Sequence, residues 1–97
     1  MRREEAIELL KQHEAELKGL GVTGLYLFGS TARDEARGDS DVDLFFDYPR
    51  GELSLYGLID MKELARRILD QPADIMTRSS LHPALRAEIE ASAVRGF

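Results

Sequence analysis

Apolar residues near the amino terminus recur at helical spacing. Ile7, Leu10 and Leu17 fall on one side, with Glu4, Lys11 and Lys18 available for the wet face. The pattern predicts one amphipathic helix over 3–18, ended by Gly19 and Gly21. His13 falls on it as a surface or boundary residue, since no second His or Cys stands at ligand spacing. The period then changes. Val22 to Phe28 and Asp41 to Asp47 are short apolar runs and read as strands, with helical character over 31–36 between them. Tyr48-Pro49-Arg50-Gly51 reads as a turn. Leu58, Met61, Ala65 and Ile68, with Leu55 and Leu64 beside them, predict a second helix over 54–70, stopped by Gln71-Pro72. Gly57 inside it costs roughly 1 kcal/mol against Ala and marks close packing on a sheet. Met61 reads as core filler and Arg66-Arg67 as a solvated face. Ala73 to Thr77 is a third strand, with Asp74 and Met76 on one face and Ile75 on the other. Ser79-Ser80 and Pro83 open a last helix running to about Val94. Its Leu81, Leu85 and Ile89 face the core, Arg86 and Glu88 face solvent, and His82 sits at its start. Arg95-Gly96-Phe97 carries no pattern.

The order helix, strand, strand, helix, strand, helix suits an α/β (α+β) fold: a small mixed sheet with helices packed on it. At 97 residues the chain is expected to form a single domain, 1–97, near the size where one core becomes secure. Without cysteine it has neither a disulfide framework nor a thiolate metal site. No apolar run approaches a membrane span, and MRREEAIELLK lacks the apolar core of a signal peptide, so a cytoplasmic location is expected. The net charge of −5 has the wrong sign for tracking long nucleic acid. It leaves open a small nucleotide held through a metal.

The candidate chemistry lies between Phe28 and Phe46, FGSTARDEARGDSDVDLFF. Strand alternation sends Asp41 and Asp43 to one side, their Cα atoms about 6.6 Å apart. Two acids on one face repel unless something positive sits there. Magnesium suits the place, because it takes hard oxygen ligands and is held by one or two carboxylates plus substrate phosphates. Gly29 lets backbone approach a ligand closely, and Ser30 offers a hydroxyl and an N–H. The helical turn that follows would point an anion-favouring end at the same place, with Arg33 and Arg37 within reach of a polyphosphate. Plainer readings fit less well. A calcium loop counted from Asp39 needs Gly at its sixth position and Glu at its twelfth, where this chain has Leu44 and Arg50. A charged, solvated strand edge is opposed by Val42, Leu44 and Phe46, which mark an inner strand. Gly29-Ser30 alone would be an ordinary turn; its offset from Asp41 lifts it.

Gly-Ser, ten residues, then Asp-x-Asp resembles the nucleotidyltransferase superfamily that includes DNA polymerase β. The stretch looks most like its minimal members, often called MNT or MntA. Arg33, and Ser40 before the first acid, agree with that form, and Ala73-Asp74-Ile75-Met76 supplies the family's third aspartate. The resemblance spans about residues 20–77. It implies a polymerase β-like palm in which strand three lies beside strand two. It further implies two magnesium ions bridged by Asp41 and Asp43, with Asp74 near the acceptor hydroxyl. Gly29 and Ser30 would hold the leaving pyrophosphate, with Arg33 on the same anion. By this resemblance the chain transfers AMP from ATP to a hydroxyl of a partner, in the manner of an antitoxin paired with a HEPN-domain ribonuclease toxin in a hetero-oligomer. A palm this short has little wall for an acceptor, which is expected to arrive with that partner. Two other readings remain: a binding module that masks its partner without catalysis, and an antibiotic-type nucleotidyltransferase acting on a small molecule. Three clustered acids favour the enzyme over the mask. The small-molecule enzymes usually carry a further domain.

Overall fold

The computed structural model describes residues 1–35, 41–49 and 53–97. Helix α1 (Arg3–Gln12) and helix α2 (Glu14–Gly19) open the chain. They replace the single helix expected over 3–18. The ladder breaks at His13, whose backbone leaves the helical region at φ −108°, ψ 17° while its Nδ1 meets Glu16 Oε1 at 2.9 Å. The break lets both Leu10 and Leu17 stay fully buried.

Strand β1 (Gly24–Phe28) runs straight into a single helical turn, α3 (Gly29–Ala32). That turn begins two residues earlier than expected and stops sooner. Strand β2 (Val42–Asp47) pairs with β1 antiparallel, Phe28 opposite Asp43 and Gly24 opposite Asp47. Helix α4 (Leu55–Leu69) starts on Ser54, whose Oγ accepts from the Gly57 N–H at 3.1 Å, as N-caps do. It ends on Asp70 in the left-handed region at φ 52°. Gly57 does not pack on the sheet as expected; its neighbours are the side chains of Leu53 and Ser54. Strand β3 (Ala73–Thr77) lies parallel to β2, with Asp74 the register partner of Asp43. The adjacency expected from the resemblance is present.

The last third departs further from the sequence pattern. A 3₁₀ turn over Arg78–Ser80 precedes helix α5 (Arg86–Ser92), a far shorter helix than expected. Leu81 is buried, Ile89 is half-buried, and Leu85 is exposed rather than in the core. The tail adds an unforeseen strand, β4 (Val94–Arg95), antiparallel to β1. There the Gly96 N–H donates to the Leu25 carbonyl at 2.7 Å, and a Cβ on Gly96 would crowd that oxygen. Phe97 closes into the core.

The sheet order is β3-β2-β1-β4, a mixed sheet in an α+β arrangement. One face carries Leu25, Leu27, Val42, Leu44, Phe46, Ala73 and Ile75 into a single apolar cluster with Ala6, Leu10, Met61, Ala65 and Ile68 from the helices. Each such leucine or isoleucine contributes about 1.5–3 kcal/mol by leaving water. Leu55, expected beside the core, is 70% exposed instead, and Tyr56 is 80% exposed. Among the described residues no helix is long and apolar enough to cross a membrane.

Candidate active site

The other sheet face carries the polar chemistry. Alternation along β2 puts Asp43, Phe45 and Asp47 there, and along β3 Asp74 and Met76. Because β2 and β3 run parallel and β1 opposes them, three functional segments meet at one end of the sheet. Gly29 and Ser30 follow the last residue of β1, Asp41 and Asp43 sit at the start of β2, and Asp74 sits at the start of β3. Local chain geometry makes each segment, and sheet order brings them together.

Gly29 is the tightest point. Its φ of +70° belongs to the left-handed region, and a Cβ there would overlap the Asp43 carboxylate. Glycine therefore brings bare backbone against the carboxylate that faces Asp74. Ser30 is half-buried at the next position, and its carbonyl accepts from the Glu35 N–H at 2.8 Å. The Thr31 hydroxyl is buried and finds no hydrogen-bond partner among the described residues. The sequence had not singled it out, and its one local signal is its place directly after Gly-Ser. The start of α1 braces the turn: the Arg3 N–H donates to Asp34 Oδ1 at 3.1 Å and its guanidinium to the Ala32 carbonyl at 3.4 Å.

Burial pushes the Asp43 carboxyl above its ordinary value, and the neighbouring charges of Asp74 and then Asp41 push it further; Arg33 acts the other way. Asp41 and Asp74 are both exposed. Asp43 thus feels both neighbouring carboxylates. As the side chains stand, however, no group of three or more His, Asp or Glu among the described residues converges closely enough to hold a metal ion. Arg33 is exposed and its Nε donates to Glu35 Oε2 at 3.1 Å, so it lies near the site while engaged elsewhere. Arg37, Ser40 and the Arg50-Gly51 part of the expected turn lie outside the described residues.

A cleft of about 610 Å³ opens beside Asp74 and Asp41. Its other wall comes from the end of α4 and the link to β3, including Arg66, Arg67, Asp70 and Gln71. Arg66 and Arg67 are exposed, as the helical pattern implied, but they border the site. At the far end of the same face Asp47 pairs with Arg78, Nε at 2.7 Å and Nη2 at 3.0 Å.

The nucleotidyltransferase domain family matches residues 7–95. Protein adenylyltransferase MntA of Thermococcus cleftensis is 37% identical over 79 residues, covering 80% of this chain and 79% of its own length. A Methanocaldococcus jannaschii protein, provisionally named a protein adenylyltransferase, is 35% identical over 85 residues, covering 86% of each chain. The fold is similar to a solved structure described, provisionally, as a minimal nucleotidyltransferase (TM-score 0.82, 29% identity, 97% of this chain and 95% of that one). It also resembles a toxin–antitoxin crystal structure with AMP-PNP, at TM-score 0.68 and 18% identity over 100% of this chain and 73% of that one, a likeness of fold alone. With the carboxylates and the Gly-Ser turn at one sheet end and this similarity along most of its length, the chain belongs to the nucleotidyltransferase domain family, in its minimal MntA-like branch, and is a nucleotidyltransferase.

Proposed function

We propose that this chain, acting as one domain over residues 1–97, transfers AMP from ATP to a hydroxyl of a partner protein and thereby works as the antitoxin of a HEPN-type ribonuclease toxin. The observation that carries the reading is the Gly29 backbone set against Asp43, with Asp43 opposite Asp74. Names of relatives as protein adenylyltransferases support the nucleotide and the class of acceptor. Toxin–antitoxin complexes among the proteins of similar fold, one of them with AMP-PNP, support the setting.

The donor set fits a hard divalent cation, being all carboxylate oxygen, with the bare backbone of Gly29 beside Asp43. Asp41, Asp43 and Asp74 would hold two magnesium ions, which when bound supply neutralisation of the charge on the phosphates. Gly29 and Ser30 bind the β- and γ-phosphates, and Arg33 adds a cation on that side. The acceptor oxygen forms a bond to the α-phosphorus while the bond from that phosphorus to the bridging oxygen breaks. Pyrophosphate leaves with the electron pair, and the hydroxyl proton passes to Asp74. The apolar neighbours Phe28 and Phe45 line the same face and limit water around Asp43.

The test begins with calorimetry of ATP with and without magnesium; equal affinity in chelator overturns the metal assignment. Next, the protein is incubated with ATP, magnesium and a candidate HEPN-type ribonuclease partner. The two are then separated under denaturing conditions, and the partner is refolded, weighed and assayed. An added AMP mass with lasting loss of ribonuclease activity is expected. Full protection by Asp43→Asn with an unmodified partner mass would instead make the chain a mask.

A further inference from the structure

We infer that the cleft between the end of α4 and the start of β3 is the acceptor-binding cleft, and that Arg66 and Arg67 select acceptor hydroxyls flanked by acidic residues. The inference rests on the nucleotidyl transfer proposed above. In-line displacement puts the entering and leaving oxygens on opposite sides of the phosphorus. Sheet order then assigns the sides. Gly29 and Ser30, which bind the leaving phosphates, follow β1 on one flank of β2. Asp74 lies on β3, on the opposite flank. The acceptor must therefore approach from the β3 side, and the cleft of about 610 Å³ opens there, lined by both Asp41 and Asp74.

The chemistry of its rim indicates what enters. Arg66 and Arg67 occupy the last turn of α4, both exposed, and neither forms an ion pair among the described residues. Arg33, Arg78 and Arg86 are engaged by Glu35, Asp47 and Glu90, and the other described arginines without an ion pair, Arg2, Arg3 and Arg95, do not line this cleft. Asp70, on the same rim, stands at the left-handed cap of α4 and pairs with neither arginine. The chain as a whole carries −5, so an acidic segment would be repelled unless local cations received it. Of the cleft's own carboxylates, Asp41 and Asp74 are assigned above to the cations, which leaves Arg66 and Arg67 against Asp70 to supply that local attraction, each guanidinium able to grip a carboxylate with two parallel N–H donors.

The experiment uses the whole chain with ATP and magnesium and two synthetic peptides of one length. Each contains one tyrosine, one serine and one threonine; one is flanked by Asp and Glu, the other by Lys. Transfer is read as added AMP mass over time. The acidic peptide is expected to react roughly tenfold faster, as two partly screened ion pairs allow, and the preference should shrink at high salt. Arg67→Glu should turn the preference toward the basic peptide while melting like the parent protein. Arg67 is the cleaner position, because Arg66 Nε also donates to the Ala73 carbonyl at 3.3 Å. Equal rates on the two peptides, or a preference unchanged in Arg67→Glu, overturn the inference. So does failure to modify either peptide while ATP still binds with magnesium. Failure to bind ATP at all would overturn the function proposed above, and this inference with it.

Discussion

Asp43 and Asp47 sit on the same strand and the same face, four residues apart, about 13 Å along β2. Their surroundings are opposite. Asp47 grips Arg78 with both oxygens, and Glu90 from α5 meets the same guanidinium at 3.2 Å. Arg78 lies over the rings of Tyr26 and Phe45, 4.8 and 4.9 Å from their centroids, and those rings stack on each other at 5.0 Å. The bond from Asp47 holds the guanidinium more firmly protonated than usual. With Arg86 Nε on Glu90 Oε1 at 2.6 Å, the charges at that end of the face are paired within the chain. Asp43 faces two further carboxylates, and Arg33, which eases its charge, is bonded to Glu35. A carboxylate neutralised within the chain ties structure together. One left opposed by like charge is a place for charge brought from outside.

The comparison breaks most sharply at the open end. On the function proposed above, Asp43→Asn should lower AMP transfer by more than roughly 100-fold, since it would remove a carboxylate assigned to the cation, while the protein still folds. Retention of transfer by a well-folded Asp43→Asn protein would remove Asp43 from the chemistry. At the paired end Arg78→Ala should lower stability by roughly 2–3 kcal/mol, the loss of charged hydrogen bonds and a cation–π contact. That corresponds to a fall in melting temperature on the order of 10 °C, with transfer per folded molecule little changed. A melting temperature unmoved by Arg78→Ala would deny that this end is structural.

Gly29→Ala should cost at least roughly 1–2 kcal/mol, because it forces a left-handed conformation on a Cβ and sets that Cβ against the Asp43 carboxylate, and ATP affinity should fall along with stability. ATP affinity equal to that of the parent would separate Gly29 from the phosphates. The smallest effect is a linkage. The raised Asp43 carboxyl holds a proton in the folded state at pH values where the unfolded chain has already released it. Between the ordinary 3.8 and the raised folded value, stability therefore falls as pH rises, and it stays lower above that window. Asp43→Asn should thus gain on the order of 0.5 kcal/mol at neutral pH, the scale of a like-charge pair across strands. The gain should vanish below pH 3.8, where both states hold the proton. Denaturant melts at several pH values read this directly, and a loss of stability at neutral pH would reverse the picture.

Much of the site was legible in the sequence because its parts are local. Period two along Asp41 to Asp47 puts alternate acids on one face wherever the strand ends up, and Gly-Ser after an apolar run marks a backbone turn. The third acid was legible in the same way, as Asp74 between Ala73 and Ile75, and the resemblance supplied its adjacency to β2. Helix α4 was readable nearly to its ends from its apolar repeat. The rest depended on neighbours the chain reaches only when folded. Arg78 and Asp47 are 31 residues apart, and nothing near either predicts the other. Arg66 and Arg67 read as solvated because the helix pattern reports a face, not what stands opposite it. The two residues of β4 are too few to show a period; they are a strand because the edge of β1 is open to receive them. Leu85 carries the apolar spacing of a core helix, yet α5 begins after it and leaves it in water. The sequence by itself determined strands β1 to β3, their faces and the candidate residues of the site, because alternation and backbone freedom act within a few residues. Only the tertiary structure decided which carboxylate is neutralised and which is left facing its own kind, because charge pairing depends on distances set by the order of the strands.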